Sequence, residues 1–177
     1  MYKEGYGNIP NKDKVRCMLD EAFRENPGGW IIHSHVIGKT CEKIAKEIGL
    51  DPEIAYAVGC LHDIGKAYGH EDLAHMMEGY RILRFESYFY PARIALGHGF
   101  VTDDFKSYHG RANVSERDQE FIRDYLKKRD IDIYEKLVIL LDNLIKDKYL
   151  GLEEREALRN IPQSHERKDR LEILKAW

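Results

Sequence analysis

Apolar positions recur at three- and four-residue spacing along most of the chain, and strict alternation of apolar with polar residues is nearly missing, so the pattern predicts helices rather than strands. Val15, Met18, Leu19, Ala22 and Phe23 mark a first amphipathic helix over about 13–26, closed by Asn26-Pro27-Gly28-Gly29. Val36, Ile37, Cys41, Ile44, Ala45 and Ile48 predict a second over about 32–48, with Gly49 as its stop and His33 near its start. Asp51-Pro52 supplies a cap and a first-turn proline for a third, largely apolar helix running through Ile54, Ala55, Ala57, Val58 and Leu61 to His62 and Asp63. Gly65 is the expected terminator, which leaves Lys66 just beyond it. A fourth helix is predicted over 70–85, carrying His75, and a shorter one over 90–97 ends at His98-Gly99.

Residues 100–114 read as an irregular, polar surface loop near an entrance. Ser115 with Asp118 opens a helix through Lys128. Asp132 opens a strongly buried one in which Leu137, Val138, Leu140, Leu141, Leu144 and Ile145 surround Asp142. From Leu152 onward the pattern predicts two charged helices split at Pro162 and capped at Ser164. The fold class expected is all-α.

Length and composition narrow this picture. A chain of 177 residues suits one domain over 1–177 with a core large enough to need no staples. A net charge of −3 and the lack of any basic stripe argue against duplex nucleic acid as a partner. Three widely spaced cysteines, Cys17, Cys41 and Cys60, read as reduced, buried thiols. No apolar run approaches membrane-spanning length and MYKEGYGNIPNKDK has no signal core, so a soluble cytoplasmic protein is expected. Nothing in the pattern speaks to oligomeric state.

The candidate chemistry begins at Leu61-His62-Asp63-Ile64-Gly65-Lys66. An imidazole beside a carboxylate at the end of an apolar helix costs several kcal/mol, on the order of the price of burying unpaired polar groups, unless something satisfies both. His33, His75, His98 and Asp142 are spread over other predicted helices and are the available partners. Each alone is ordinary; His70 rivals His75, His35 points to a different helix side from His33, and His165 lies in the charged tail. Together they are a candidate divalent-metal site, since neutral imidazole and carboxylate suit such ions.

The order WIIHSHVIG, LHDIGK, LLDNL resembles the HD-domain metal-dependent phosphohydrolases over roughly residues 30–155, with helices flanking that core on both sides. The resemblance implies a helical bundle in which His33, His62, Asp63 and Asp142 hold one divalent metal. AHMMEGYRIL and ALGHGF look like the pattern of a subset that holds a second ion, which would add His75 and His98 and make Asp63 a bridge. Iron, manganese, zinc, cobalt and nickel all fit such ligands.

The implied activity is hydrolysis of a small phosphorylated molecule, a nucleotide or dinucleoside polyphosphate, by metal-activated water. Asp63 and Lys66 would serve the chemistry, with Lys66, Arg155, His109 and Arg111 as candidate substrate contacts. The chain lacks the paired histidine and Gly-Tyr-Pro segment of the cyclic-dinucleotide phosphodiesterases. It also has Lys66 where the family's deoxynucleotide monophosphatases carry a glutamate. Two rival readings stand beside the hydrolase: an HD-type diiron oxygenase, which uses much the same ligand set, and a non-catalytic nucleotide-binding domain.

Overall fold

A computed structural model describes residues 1–145 and 172–177. Its architecture is all-helical apart from a small antiparallel hairpin of β1 (Tyr2–Lys3) and β2 (Gly7–Asn8). The helices up to residue 145 are α1 (Lys12–Glu25), α2 (Gly29–Glu47), α3 (Pro52–Leu61), α4 (Asp72–Phe85), α5 (Phe89–Gly97), α6 (Glu116–Lys127) and α7 (Ile133–Leu144), and residues 172–175 are helical as well. Short 3-10 turns cover Ile64–Tyr68 and Phe105–Ser107. The hairpin is absent from the helical reading because two-residue strands are too short to show alternation. It packs its Tyr6 edge-on against Tyr90 and Tyr134, with ring centroids 4.8 and 5.3 Å apart.

The antiparallel pair α2 and α3 forms the centre. Their backbones come close because Gly38 and Gly59 face each other's helix: a Cβ on Gly59 would lie 2.9 Å from both the Cys41 Sγ and the Gly38 Cα. Ile37, Cys41, Ala45, Ile54, Ala55, Val58 and Leu61 are buried along this seam. Close packing of the two helices sets His33 beside His62, ring centroids 5.3 Å apart. Around the pair lie α1, α5 and α7, whose Val15, Leu19, Ile94, Ala95 and Val138 share the same core. A second cluster under the 100–114 segment joins Leu73, Met76, Leu96, Phe100, Ile122 and Leu126.

Several expectations are corrected here. Cys17 is exposed and hydrogen-bonds Glu21 instead of lying in the core. Phe23, Val36 and Ile48, read as inward, are also exposed. The third helix ends at Leu61, and Gly65 does not terminate it. Gly65 lies inside the following 3-10 turn, and the left-handed residue that closes that turn is Gly69, at φ 74°.

Residues 100–114 are not wholly a surface loop, since Phe100 and Val101 are buried at its root. Its far end caps α4, whose own N-cap residue Glu71 makes no side-chain cap. Asn113 does so from outside: its Oδ1 accepts from the Ala74 N–H at 2.9 Å and its Nδ2 donates to the Glu71 carbonyl at 3.0 Å. The predicted helices after Leu152, their Pro162 break and Ser164 cap lie mostly outside the described residues. Of that region Leu174 is described, buried against Val101 and Ile139. Among the described residues no helix is long and apolar enough to cross a membrane.

Candidate metal centre

Five helices and the 3-10 turn after α3 deliver polar side chains to one place beside the end of α3. His62 follows the last residue of α3 and His98 the last residue of α5, and both are held in the same way. The His62 Nδ1 lies 2.7 Å from the Gly59 carbonyl and the His98 Nδ1 2.9 Å from the Ala95 carbonyl, each three residues back. A carbonyl can only accept, so each Nδ1 carries the proton and each Nε2 presents a lone pair. That is the second interaction a metal-binding histidine usually makes.

Both Nε2 atoms are aimed at Asp63: His62 lies 3.6 Å from its Oδ2 and His98 3.6 Å from its Oδ1. From α4, His75 brings its Nε2 to 3.1 Å from Asp63 Oδ1 and 3.3 Å from His98 Nε2. On the other side, His33 Nε2 is 3.2 Å from Asp142 Oδ1, which is itself 4.0 Å from His62 Nε2. Lys66 places its ammonium 2.6 Å from Asp63 Oδ2.

Among the described residues two sets of three donor atoms lie within reach of a single ion: His33, His62 and Asp63, and then Asp63, His75 and His98. Asp63 belongs to both. His62 Nε2 is fully buried without a hydrogen-bond partner, which is costly for a structural histidine and expected of a donor that waits for a cation. The residues therefore fit a divalent ion by donor type, aim and orphaned lone pair.

The electrostatics agree. Burial pushes the His62 imidazole down to about 4, against the pull of Asp63, so it is neutral and free to ligate at pH near 7. Burial lowers His75 too. For His33, burial alone would act downward, but the hydrogen bond and charge of Asp142 leave its pKa raised. Burial would likewise raise Asp63, yet the Lys66 ammonium and the surrounding histidines hold it well below the usual carboxylate range.

A cavity of about 320 Å³ opens over the His75 and His98 side and reaches Asp142, with Tyr108, His109 and Glu71 along its walls. His109 thus lies on the cavity wall. Arg111 does not line the cavity; its side chain is largely exposed and its Nε donates to Asp72 Oδ2 at 2.6 Å. His70 is exposed, whereas its rival His75 is buried, and His35 lies outside both donor sets. Arg155 lies outside the described residues.

Two buried residues beside the site were not singled out from the pattern. The side chains of Arg129 and Glu135 are fully buried, with Arg129 Nε 3.3 Å from Glu135 Oε1. The available signal was spacing: Glu135 precedes Asp142 by seven residues, two helical turns, and so shares its face.

Glu135 also gives the protein a pH dependence. Burial pushes its carboxyl up to about 7 against the pull of Arg129 and Arg93, from 4.5 in an unstructured chain. Between those values the folded state holds a proton that the unfolded state has released, so stability is greatest below the lower value and falls as pH rises through the upper one. The expected loss is on the order of 3 kcal/mol across the window. Urea unfolding across that window should show a flatter profile for Glu135→Gln; equal slopes for both proteins would refute the assignment.

Comparisons with known proteins bear on this geometry. The HD domain family model matches residues 30–147. Ribonuclease Y of Lactobacillus helveticus is 35% identical over 95 residues, 51% of this chain and 18% of that protein. Those of Lactobacillus gasseri and Lactobacillus acidophilus are 43% and 42% identical over 53 residues, 29% of this chain and 10% of each relative. The chain thus spans less than a fifth of the length of these relatives. No solved structure matches it significantly. With the family match running from α2 past Asp142 on an all-helical fold whose histidines gather around a His-Asp pair, this chain belongs to the HD domain family.

Proposed function

We propose that the chain is a metal-dependent phosphohydrolase acting on a small phosphorylated substrate, a nucleotide or dinucleoside polyphosphate. The observation that carries this reading is the convergence of His62, His75 and His98 on Asp63, beside a cavity large enough for part of such a molecule. A divalent ion bound there supplies Lewis acidity toward phosphoryl oxygens and activates water near neutral pH.

His33, His62, Asp63 and Asp142 would hold one ion, and Asp63, His75 and His98 a second. Lys66, its ammonium already at the Asp63 carboxylate, is the point charge closest to where a phosphate oxygen would come. His109, which lines the cavity wall, would hydrogen-bond the substrate or its leaving group. Within the described residues no serine or cysteine is needed as a nucleophile; Cys41 and Cys60 are buried, and burial pushes both thiols far up.

A second reading, cleavage of phosphodiester bonds in RNA, is favoured by the similarity to ribonuclease Y. The acidic Glu71 and Asp72 on the cavity wall and the net charge of −3 weigh toward a small substrate. One experiment separates the readings. The purified protein is analysed for metals, then assayed with nucleoside mono- and diphosphates, dinucleoside polyphosphates and a single-stranded oligoribonucleotide. Phosphate release from the small substrates is expected, and cleavage of the oligoribonucleotide alone would favour the RNA reading. Bound iron with oxygen uptake and no hydrolysis would favour the oxygenase; ligand binding with no turnover of any kind would favour a non-catalytic domain.

A further inference from the structure

We propose that Arg129 and Glu135 form a buried clamp that positions His98, and through it the half of the metal centre made by Asp63, His75 and His98. The inference rests on the two-ion reading above.

Arg129 lies between α6 and α7, yet its guanidinium reaches the end of α5. Its Nη1 donates to the Gly97 carbonyl at 3.2 Å and its Nη2 to the Phe100 carbonyl at 2.7 Å. Those carbonyls stand on either side of His98, whose own N–H and Nδ1 are bonded to Ile94 and Ala95 at 2.9 Å. The residue is therefore fixed from both directions, by the last turn of α5 behind it and by Arg129 ahead.

Glu135 backs the guanidinium, its Oε1 lying 3.3 Å from Arg129 Nε, and also touches α5 directly. Its Oε1 packs where a Cβ on Gly97 would be, and its Oε2 lies 3.7 Å from the Arg93 guanidinium. Two carbonyls at a helix end could be satisfied by water or by a capping turn. Burying a guanidinium and a carboxyl to do so is seldom stabilising compared with apolar residues of the same size, so their presence points to geometry. The clamp also has a particular origin, because α7 carries Asp142 on the face that carries Glu135. One helix therefore presents a donor to the His33 side and fixes the donor on the opposite side.

Arg129 and Glu135 are positioning residues, and the test reads ion binding rather than turnover. Metal-stripped protein is titrated with Mn²⁺ by calorimetry, for the unmutated chain, for Arg129→Lys and for the charge-free pair Arg129→Met with Glu135→Met. The lysine keeps the charge but cannot hold both carbonyls in one plane. The double variant leaves no unpaired charge, and thermal melts establish which variants are folded.

The unmutated chain should take two ions. In each folded variant one site should weaken by about 10- to 100-fold while the other is unchanged. Unchanged affinity at both sites would overturn the clamp, and so would equal weakening of both, the mark of general loosening. A single ion in the unmutated chain would overturn the two-ion reading and the clamp with it. Two ions there with unaltered variants would remove the clamp alone.

Discussion

Asp63→Ala should lower phosphate release by about a thousandfold or more and strip the protein of bound metal. Asp63 is the one residue common to both donor sets, so no rearrangement of the remaining histidines replaces it. Metal-ion catalysis contributes several kcal/mol to transition-state stabilisation, and each 1.36 kcal/mol is about tenfold in rate. The substitution also leaves Lys66, whose ammonium lies on this carboxylate, without its nearest counter-charge. A loss of stability could therefore mimic a loss of chemistry. Asp63→Asn also removes the charge but keeps the shape and an oxygen that can accept from Lys66, so it is the variant expected to stay folded by melting; it should then bind metal poorly and remain inactive, as judged by elemental analysis and phosphate release. Activity retained by a folded, metal-free Asp63→Asn would remove the metal centre from the mechanism.

Gly65→Ala should destabilise the fold by about 3 kcal/mol, a large effect for one methyl group. A Cβ at this position would overlap the His75 carbonyl oxygen and the Gly79 amide nitrogen. Both are backbone atoms of α4, which cannot rotate aside as a flexible side chain would. Relief requires α4 to move off the 3-10 turn, and His75 moves with it. Urea unfolding should show the loss, and calorimetric Mn²⁺ binding should weaken in the protein that remains folded. A midpoint within about 0.5 kcal/mol of the unmutated protein, the range of ordinary surface changes, would contradict the close approach.

Gly65 illustrates where the sequence is legible and where it is not. The longer helices α1, α2 and α4 are periodic, and cap residues such as Asp51 and Asp132 mark the starts of α3 and α7, so the local pattern places them. The family resemblance likewise draws the core to the region that the HD domain match covers. A glycine after an apolar helix looks like a stop, because nothing in the local pattern reveals that another helix passes against it. The same holds for Phe100, which lies past the end of α5 and so belongs to no helical period that would reveal its burial.

Asn113 caps α4 from about forty residues away, so no local capping motif could show it. Arg129 and Glu135 are buried only because three separate elements meet there. Tyr108 joins the cavity wall in the same way, by the path of the segment that carries it. Local periodicity reads the elements; contacts between distant elements decide which polar residues face the site.

The most direct test of the central claim is an anomalous-difference map from crystals of the Mn²⁺-loaded protein. The account predicts density beside Asp63, in contact with His33 and His62 on one side and with His75 and His98 on the other. Strong anomalous density elsewhere, with none touching Asp63, would contradict it.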